Sequence, residues 1–484
     1  MDARYSPVLD SNPLPPPRGE ASRKPVIPNG TAAGSRCAIP PAEVSFQPHS
    51  FADPSGRVFL WNGHLYRGLR GNAATHLGRL VREGTLTPLV ERGLLIETTI
   101  KPMTLAEYDL IVQHRRVRVV SYPQEWCPAM FKRAVRHIVD LALELAGHGL
   151  MLKDAHPWNV LYEGTAPVFI DWGSIVSIEE SEPWSGLDEF HRFCLNPLKL
   201  MSRNLDHLAR AMLPTDRGVT DSDVAALCGN LPSRRPAGIR ARQRLARLTE
   251  SIRGRLNHSA EPRRCLTEEL RRLREEVERV PVPEGAASTH VATRQDRRTA
   301  SEAQDERTAT LRRVIRSIGP ATMLAIGGRD LMEVITPPPC EATLVAFDAD
   351  PSWITDLYRQ VDETQGAILP LIMDLTKPTP SIGWGSHWAI DARERFRSQL
   401  VVAADVAHLA KDRHFAMPLI VEGLAAFASR WLIVEWTNPA ERSGSSGGRP
   451  EVRCEEFAAA LETAFRDVRC ISVSQTTRVI VCER

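Results

Sequence analysis

From Met323 onward the chain alternates short apolar runs with amphipathic stretches, and few folds accommodate that alternation. The apolar runs are Met323–Ile326, Thr343–Phe347, Ile368–Met373, Leu400–Ala403, Trp431–Glu435, Val468–Val473 and Arg478–Cys482. Stretches of helical period lie among them at Ser352–Val361, Phe415–Ser429 and Glu455–Phe465. Strands this apolar need cover on both faces, so the pattern predicts an α/β, doubly wound parallel sheet. The last two runs are separated only by the polar turn Ser474–Thr477. A parallel pair needs a long crossover, so this hairpin is expected to be antiparallel.

In an open sheet of this kind the ligand sits beyond the carboxyl ends of the strands, at the switch point. Gly327 and Gly328 follow the first run, where backbone must approach a ligand closely. Asp348 closes the second run, about 20 residues after the glycines, where a carboxylate can accept from both ribose hydroxyls. Asp374 closes the third run. An aspartate at a strand end also caps helices, and Asp348 or Asp350 could do so before Ser352. After the fourth run, AADVAHLA brings Asp405 and His408 to the acceptor side, with His408 a candidate general base. The alternative for this pair is a helix-packing histidine behind an aspartate cap. Glu435 and Trp436, after the fifth run, are further pocket candidates.

The first half reads differently. Residues 1–45 are rich in Pro, Ser, Gly and Ala, without periodicity, and are expected to be a disordered tail. Arg57–Trp61 and His64–Arg67 flank Asn62-Gly63, which predicts a tight hairpin. Further strands are expected at Leu94–Ile100 and Val117–Tyr122. Met130, Ala134, Ile138, Leu141 and Leu145 recur at helical spacing, and a second helix is expected over Leu187–Leu200.

Between these helices lies LKDAHPWNVLYEGTAPVFIDWGSI, from Leu152 to Ile175. Asp154 and Asn159 stand five apart, and Asp171 opens Asp-Trp-Gly twelve residues on. This resembles the D-x-x-x-x-N loop and DFG element of protein-kinase-like folds. In that chemistry Asp154 accepts a substrate hydroxyl proton, while Asn159 and Asp171 hold Mg²⁺ on the phosphates of ATP. Two parts of the pattern are missing. No Gly-rich loop precedes it, and Lys101 is the one lysine between Val44 and Lys132. Arg67 is the candidate substitute cation, a poor mimic of a point charge. The readings are therefore an active phosphotransferase, a kinase-like fold kept for structure or binding, or a turn in which Asp154 and Asn159 bond backbone around Pro157.

Residues 206–282 are expected to form a charged helical segment. Leu245, Leu248, Ile252 and Leu256 make one stripe; Leu266, Leu270, Leu273, Val277 and Val280 make another. Pro281 to Thr310 reads as linker. The expected layout is thus a tail (1–45), a first domain (46–205), a helical segment (206–282), a linker (283–310) and the α/β domain (311–484).

Arg234–Arg255 holds eight arginines but no clustered aromatics for base stacking, so nucleic acid is not an expected partner. A formal charge of +2 gives no global field that demands a polyanion. The most apolar stretch, Pro418–Trp436, carries Glu422, Arg430 and Glu435, which argues against a membrane span. The N-terminal stretch lacks the apolar core of a secretory signal. The nine cysteines show no CxxC spacing, so a reduced, cytoplasmic setting without a zinc ribbon is expected. Oligomeric state is not readable.

The order Ser121–Trp126 (SYPQEW), LKDAHPWN, VFIDWGSI, Glu189–Leu200 (EFHRFCLNPLKL) and then the α/β domain resembles a bacterial family of two-part proteins. Its members carry a kinase-like first region and a C-terminal class I, Rossmann-like S-adenosylmethionine-dependent methyltransferase domain. The resemblance covers roughly Val44 to Arg484. It implies methyl transfer from S-adenosyl-L-methionine to an acceptor it does not identify, and a role in host-specific nodulation. It also implies that Gly327, Asp348 and Asp374 contact the cofactor, that Asp405 and His408 face the acceptor, and that Asp154, Asn159 and Asp171 form the first-domain signature. One departure stands out in MLAIGGRDLM. Ala325 occupies the place of the expected acid, and Arg329 and Asp330 that of small residues. Weakened cofactor binding or a domain that has lost catalysis would follow.

Overall fold

The computed structural model describes residues 37–484, apart from 52, 179–183, 185, 230–260, 284–295, 328–330, 365, 405, 408, 410–414, 438–452 and 475–476; side chains of 261–264 and 296–304 are likewise outside it. The tail up to residue 36, the first leucine stripe (245–256) and the arginine-rich segment fall outside the described residues.

The first unit opens with an antiparallel sheet of five strands. In chain order these are β1 (Ser45–Phe46), β2 (Gly56–Trp61), β3 (His64–Leu69), β4 (Thr98–Ile100) and β5 (Leu110–His114), and their spatial order is β1-β2-β3-β5-β4. The expected hairpin joins β2 to β3, with Asn62 and Gly63 both at positive φ, 49° and 75°, as such a two-residue turn requires. Alternation along the strands sends Phe59, Tyr66 and Ile111 to one face, where Leu105 and Ile39 cover them. Burial of Ile39 thus gives the first unit's core a residue from the segment that the sequence assigns to the tail. Cys37–Ala38 pairs with Met103–Thr104 just ahead of it. β5 and α1 (Gly71–Glu83) were not anticipated from the sequence, whereas Val117–Tyr122 forms no strand.

Beyond the sheet runs α2 (Pro128–Gly147), whose apolar stripe is wholly buried: Met130, Ala134, Ile138, Leu141 and Leu145 are all at 0% exposure. Then follow β6 (Leu150–Leu152), the hairpin β7 (Val160–Glu163) and β8 (Ala166–Phe169), and β9 (Ile175–Ser177), which returns to pair with β6. The helix expected over Leu187–Leu200 is present with a π-turn at His191–Leu195. The second leucine stripe lies on α3 (Glu261–Arg279) and packs along α2; Leu270 and Val277 are buried, and Arg274 pairs with Asp140 at 2.6 Å.

The expected linker instead contains α4 (Asp296–Ile318). Thr310, Leu311 and Ile315 are buried, and so is Arg307. A polar, small-residue sequence hides this helix because its inward face includes an arginine and a threonine.

The C-terminal sheet has seven strands: β10 (Thr322–Ile326), β11 (Thr343–Asp348), β12 (Ile368–Ile372), β13 (Ser398–Ala403), β14 (Ala428–Thr437), β15 (Asp467–Ser472) and β16 (Thr477–Glu483). Their spatial order is β12-β11-β10-β13-β14-β16-β15, parallel except for β16, which runs antiparallel to both neighbours. The helices α5 (Pro351–Glu363), α6 (Met417–Phe427) and α7 (Cys454–Leu461) pack on it.

The two units share one hydrophobic core. Their junction is built around Arg395, just before β13, and Glu125, whose side chains are 3% and 0% exposed. Arg395 donates to both Glu125 oxygens, to Val120 O and Ile390 O at 2.8 Å each, and lies over the Tyr122 ring at 4.1 Å. Tyr122 OH accepts from Ile390 N at 2.8 Å. A second contact joins α5 to α2, where Arg133 pairs with Asp362 and donates to Tyr358 OH at 3.3 Å.

Removing one partner of a buried pair strands the other charge. Arg395→Ala is expected to lose about 3–5 kcal/mol in urea denaturation, against a much smaller loss for Glu125→Leu combined with Arg395→Met. Equal losses for both variants would remove the pair as the source of the effect.

Candidate functional site

The strand register sets the expected ligand positions side by side. Ile326 pairs with Phe347, so Gly327 and Asp348 each lie one residue beyond that pair; Asp348 in turn pairs with Ile372, two residues before Asp374. The three residues thus sit at the carboxyl ends of three adjacent strands, on the edge where an open α/β sheet takes its ligand. Gly327 has φ +82°, and a Cβ there would stand 2.4 Å from Ala404 O. No other residue type allows the chain to turn that tightly against the end of β13.

Asp348 and Asp374 are both half-buried. Asp348 Oδ1 accepts from Asp350 N at 2.7 Å, and it is Asp350 that caps α5, accepting from Ser352 N at 2.9 Å. Asp374 Oδ1 accepts from Thr376 N and Oγ1 at 2.8 and 2.7 Å. These local bonds hold each carboxylate at its strand end. Ala325, where an acid was expected, is 3% exposed between Ala346 and Val402. Gly328, Asp405 and His408 lie outside the described residues.

Glu435 and Trp436, expected to face a pocket, are instead buried against other side chains among the described residues. Arg307 Nε and Nη2 each donate to Glu435 at 2.5 Å, with side chains 5% and 4% exposed. Trp436 is buried and stacks on Phe457, ring centroids 4.9 Å apart. The strand's final apolar run continues inward past its expected end, and only a guanidinium from α4 makes the buried carboxylate tolerable. Sequence reasoning had assigned Arg307 to a linker and so missed the pair.

In the first unit, the loop after β6 carries Asp154 and Asn159, and Asp171 follows β8. Asn159 Nδ2 donates to Asp154 O at 3.1 Å, and Ser174 Oγ accepts from Asp154 N at 3.0 Å. Asp171 Oδ1 accepts from Gly173 N at 3.0 Å and from Arg67 Nη1 at 2.7 Å. Arg67, on β3, also pairs with Asp53. Asp53 carried no sequence signal, since its role depends on β3 meeting the Asp-Trp-Gly turn. Glu189, from the EFHRF run, faces the same cleft, with Oε1 3.9 Å from His156 Nε2. Burial, and then the neighbouring Asp154, push the Glu189 carboxyl up to about 7, while burial pushes His156 down to about 4.

Glu189 therefore keeps its proton in the folded chain up to about pH 7, whereas the unfolded chain releases it near its ordinary 4.5. The associated stability is full below 4.5 and is lost as pH rises through 7. Glu189→Gln is expected to melt with the wild type at the acid end and above it at pH values beyond 7, in thermal melts across that window. A difference that stays constant with pH would contradict this assignment.

No protein-family model matches the chain. The nodulation protein NoeA of Rhizobium meliloti (strain 1021) is 26% identical over 408 residues, covering 79% of this chain and 83% of that protein. Among solved structures, the N-methyltransferase NodS from Bradyrhizobium japonicum WM9 is similar at 17% identity and a TM-score of 0.28, over 38% of this chain and 97% of its own. Magnesium protoporphyrin IX methyltransferase from Synechocystis PCC 6803, with bound S-adenosylmethionine, is similar at 16% identity and a TM-score of 0.27, over 39% of this chain and 82% of its own. The fold is read from the strand order itself, with its single reversed strand next to the edge. Over most of its length the chain is similar to nodulation protein NoeA, and its C-terminal unit is an α/β sheet of seven strands, parallel but for one reversed strand next to the edge.

Proposed function

We propose that the C-terminal unit transfers a methyl group from S-adenosyl-L-methionine to an acceptor in a nodulation-related pathway. The observation that supports this most is the placement of Gly327, Asp348 and Asp374 at the ends of three adjacent strands. Asp348 is the group to accept from the two ribose hydroxyls, and Asp374 lies where the adenine amino group would be met. Gly327 lets the backbone turn close to the ligand. Bound there, the cofactor supplies an electrophilic methyl group for in-line displacement. What this chain contributes is mainly orientation. Asp405 and His408 follow β13 in the sequence and are the proposed acceptor-side groups, with His408 the candidate base for the acceptor's proton.

Ala325 limits the site. With a methyl group among apolar neighbours, no carboxylate at that position orients the methionine end. This supports a second reading, a degenerate domain kept for binding or regulation. We also read the first unit as kinase-like in layout: a five-stranded antiparallel sheet, a helix after its third strand, a long second helix, and the loop carrying Asp154, Asn159 and Asp171. A cytoplasmic setting belongs to the same reading, since the cysteine spacing offers no disulfide framework. No helix among the described residues is long and apolar enough to cross a membrane.

Calorimetric titration of the full chain with S-adenosylmethionine and S-adenosylhomocysteine tests the proposal. Micromolar binding is expected, weakened about 100-fold in Asp348→Ala through the loss of two charge-assisted hydrogen bonds. Absence of binding at millimolar ligand would transfer support to the degenerate reading. Gly327→Ala forces both a positive-φ side chain and a shift of Ala404. It is expected to cost about 1–3 kcal/mol of stability in denaturant titrations and to weaken cofactor binding in parallel.

A further inference from the structure

We infer that Arg67 is the resident counter-cation of the first-unit cleft, standing where a kinase-like site would hold its divalent metal, and that the cleft takes no metal–nucleotide. The inference rests on the contacts of Arg67 and holds independently of methyl transfer in the other unit.

Asp171 is the carboxylate that the D-x-x-x-x-N and Asp-Trp-Gly spacing assigns to Mg²⁺. Its Oδ1 is instead 2.7 Å from Arg67 Nη1 and accepts from Gly173 N as well. The other end of the same guanidinium pairs with Asp53. The three side chains are only 13%, 22% and 23% exposed, so water screens these contacts little. Gly173 makes the arrangement possible: a Cβ there would stand 2.9 Å from Arg67 Nη2.

A guanidinium does not lose its proton in a protein, and its planar fork can hold two carboxylates at once. A metal could reach Asp171 only by expelling this buried cation from both partners. Magnesium is bound by one or two carboxylates together with waters, at about 2.1 Å. Asp171 and Asp53 therefore already form the anionic half of a metal site, with Arg67 supplying the charge. With Arg67 engaged by Asp171 and Asp53, no divalent charge is left in the cleft to bridge a triphosphate to those carboxylates. The missing strand lysine and the missing Gly-rich loop agree with this: both serve nucleotide phosphates, and neither is needed here.

The inference predicts that a metal site is created by taking Arg67 away. The full chain would be titrated into MnCl₂ and free Mn²⁺ read by electron paramagnetic resonance, with MgCl₂ thermal melts in parallel. The wild type is expected to leave the Mn²⁺ signal and its own melting temperature unchanged. Arg67→Gln is expected to melt lower, to bind Mn²⁺ at least about tenfold more tightly than the wild type, and to regain part of its melting temperature with Mg²⁺. Adding Asp171→Asn to that variant should abolish both responses. Wild-type Mn²⁺ binding that disappears in Asp171→Asn would overturn the inference, as would a folded Arg67→Gln that gains no metal affinity. Should Arg67→Gln fail to fold, the wild type decides: Asp171-dependent Mn²⁺ binding overturns the inference, and its absence supports it.

Discussion

Glu125 and Arg395 meet in the dry interior between the two units, and much of the architecture is arranged around making that meeting tolerable. A carboxylate with no exposed surface must be fully bonded. Glu125 accepts from Arg395 through both oxygens and also from Tyr122 N at 2.8 Å. Arg395 is satisfied in turn by the Val120 and Ile390 carbonyls and by the face of Tyr122. So many directional bonds admit one relative placement of the segments that supply them. Arg395 lies three residues before β13, the strand beside β10 at the centre of the C-terminal sheet. The SYPQEW run thereby has a structural meaning: Trp126 Nε1 bonds Ser121 Oγ at 3.0 Å, Tyr122 and Glu125 grip the second unit, and the loop is held as a docking surface.

Nearby, Trp158 from the Asp154–Asn159 loop packs on Trp388 at 4.4 Å between ring centroids. The cleft of the first unit and the β12–β13 connection of the second are therefore mechanically adjacent. Arg307 and Glu435 form a second buried pair, tying the helix that precedes β10 to the end of β14. Arg67 with Asp171 and Asp53 is a third case. In all three the cation is arginine, whose fork satisfies two acceptor atoms at fixed geometry where an ammonium would leave one short.

The sheet was legible because it rests on local information. All seven apolar runs became strands within a few residues of their expected ends, and the short Ser474–Thr477 turn dictated the antiparallel β15–β16 hairpin. The Asn62-Gly63 hairpin and the stripe of α2 were readable for the same reason. Val117–Tyr122 was misread because β-type residues there pack into the junction without a strand partner. The helix across the expected linker was missed because its buried face includes Arg307 and Thr310. Those residues look solvent-facing until a carboxylate on another strand is placed against them.

At the candidate site, sequence placed Gly327, Asp348 and Asp374 at strand ends, since period and turn residues decide where a strand stops. Their side-by-side arrangement came only from the tertiary order of strands, which brings β10, β11 and β12 together. The same division holds for charge. Composition and spacing show that acids and bases nearly balance and that a D-x-x-x-x-N loop precedes an Asp-Trp-Gly. They do not show which carboxylate meets which guanidinium. Glu125 finds Arg395 across 270 residues, Glu435 finds Arg307 across 128 and Asp171 finds Arg67 across 104. Local periodicity determines strands and helices because their bonds lie between near neighbours. Pairing of buried charges was left to the tertiary structure because its energy depends on burial, and burial exists only once the whole chain has packed.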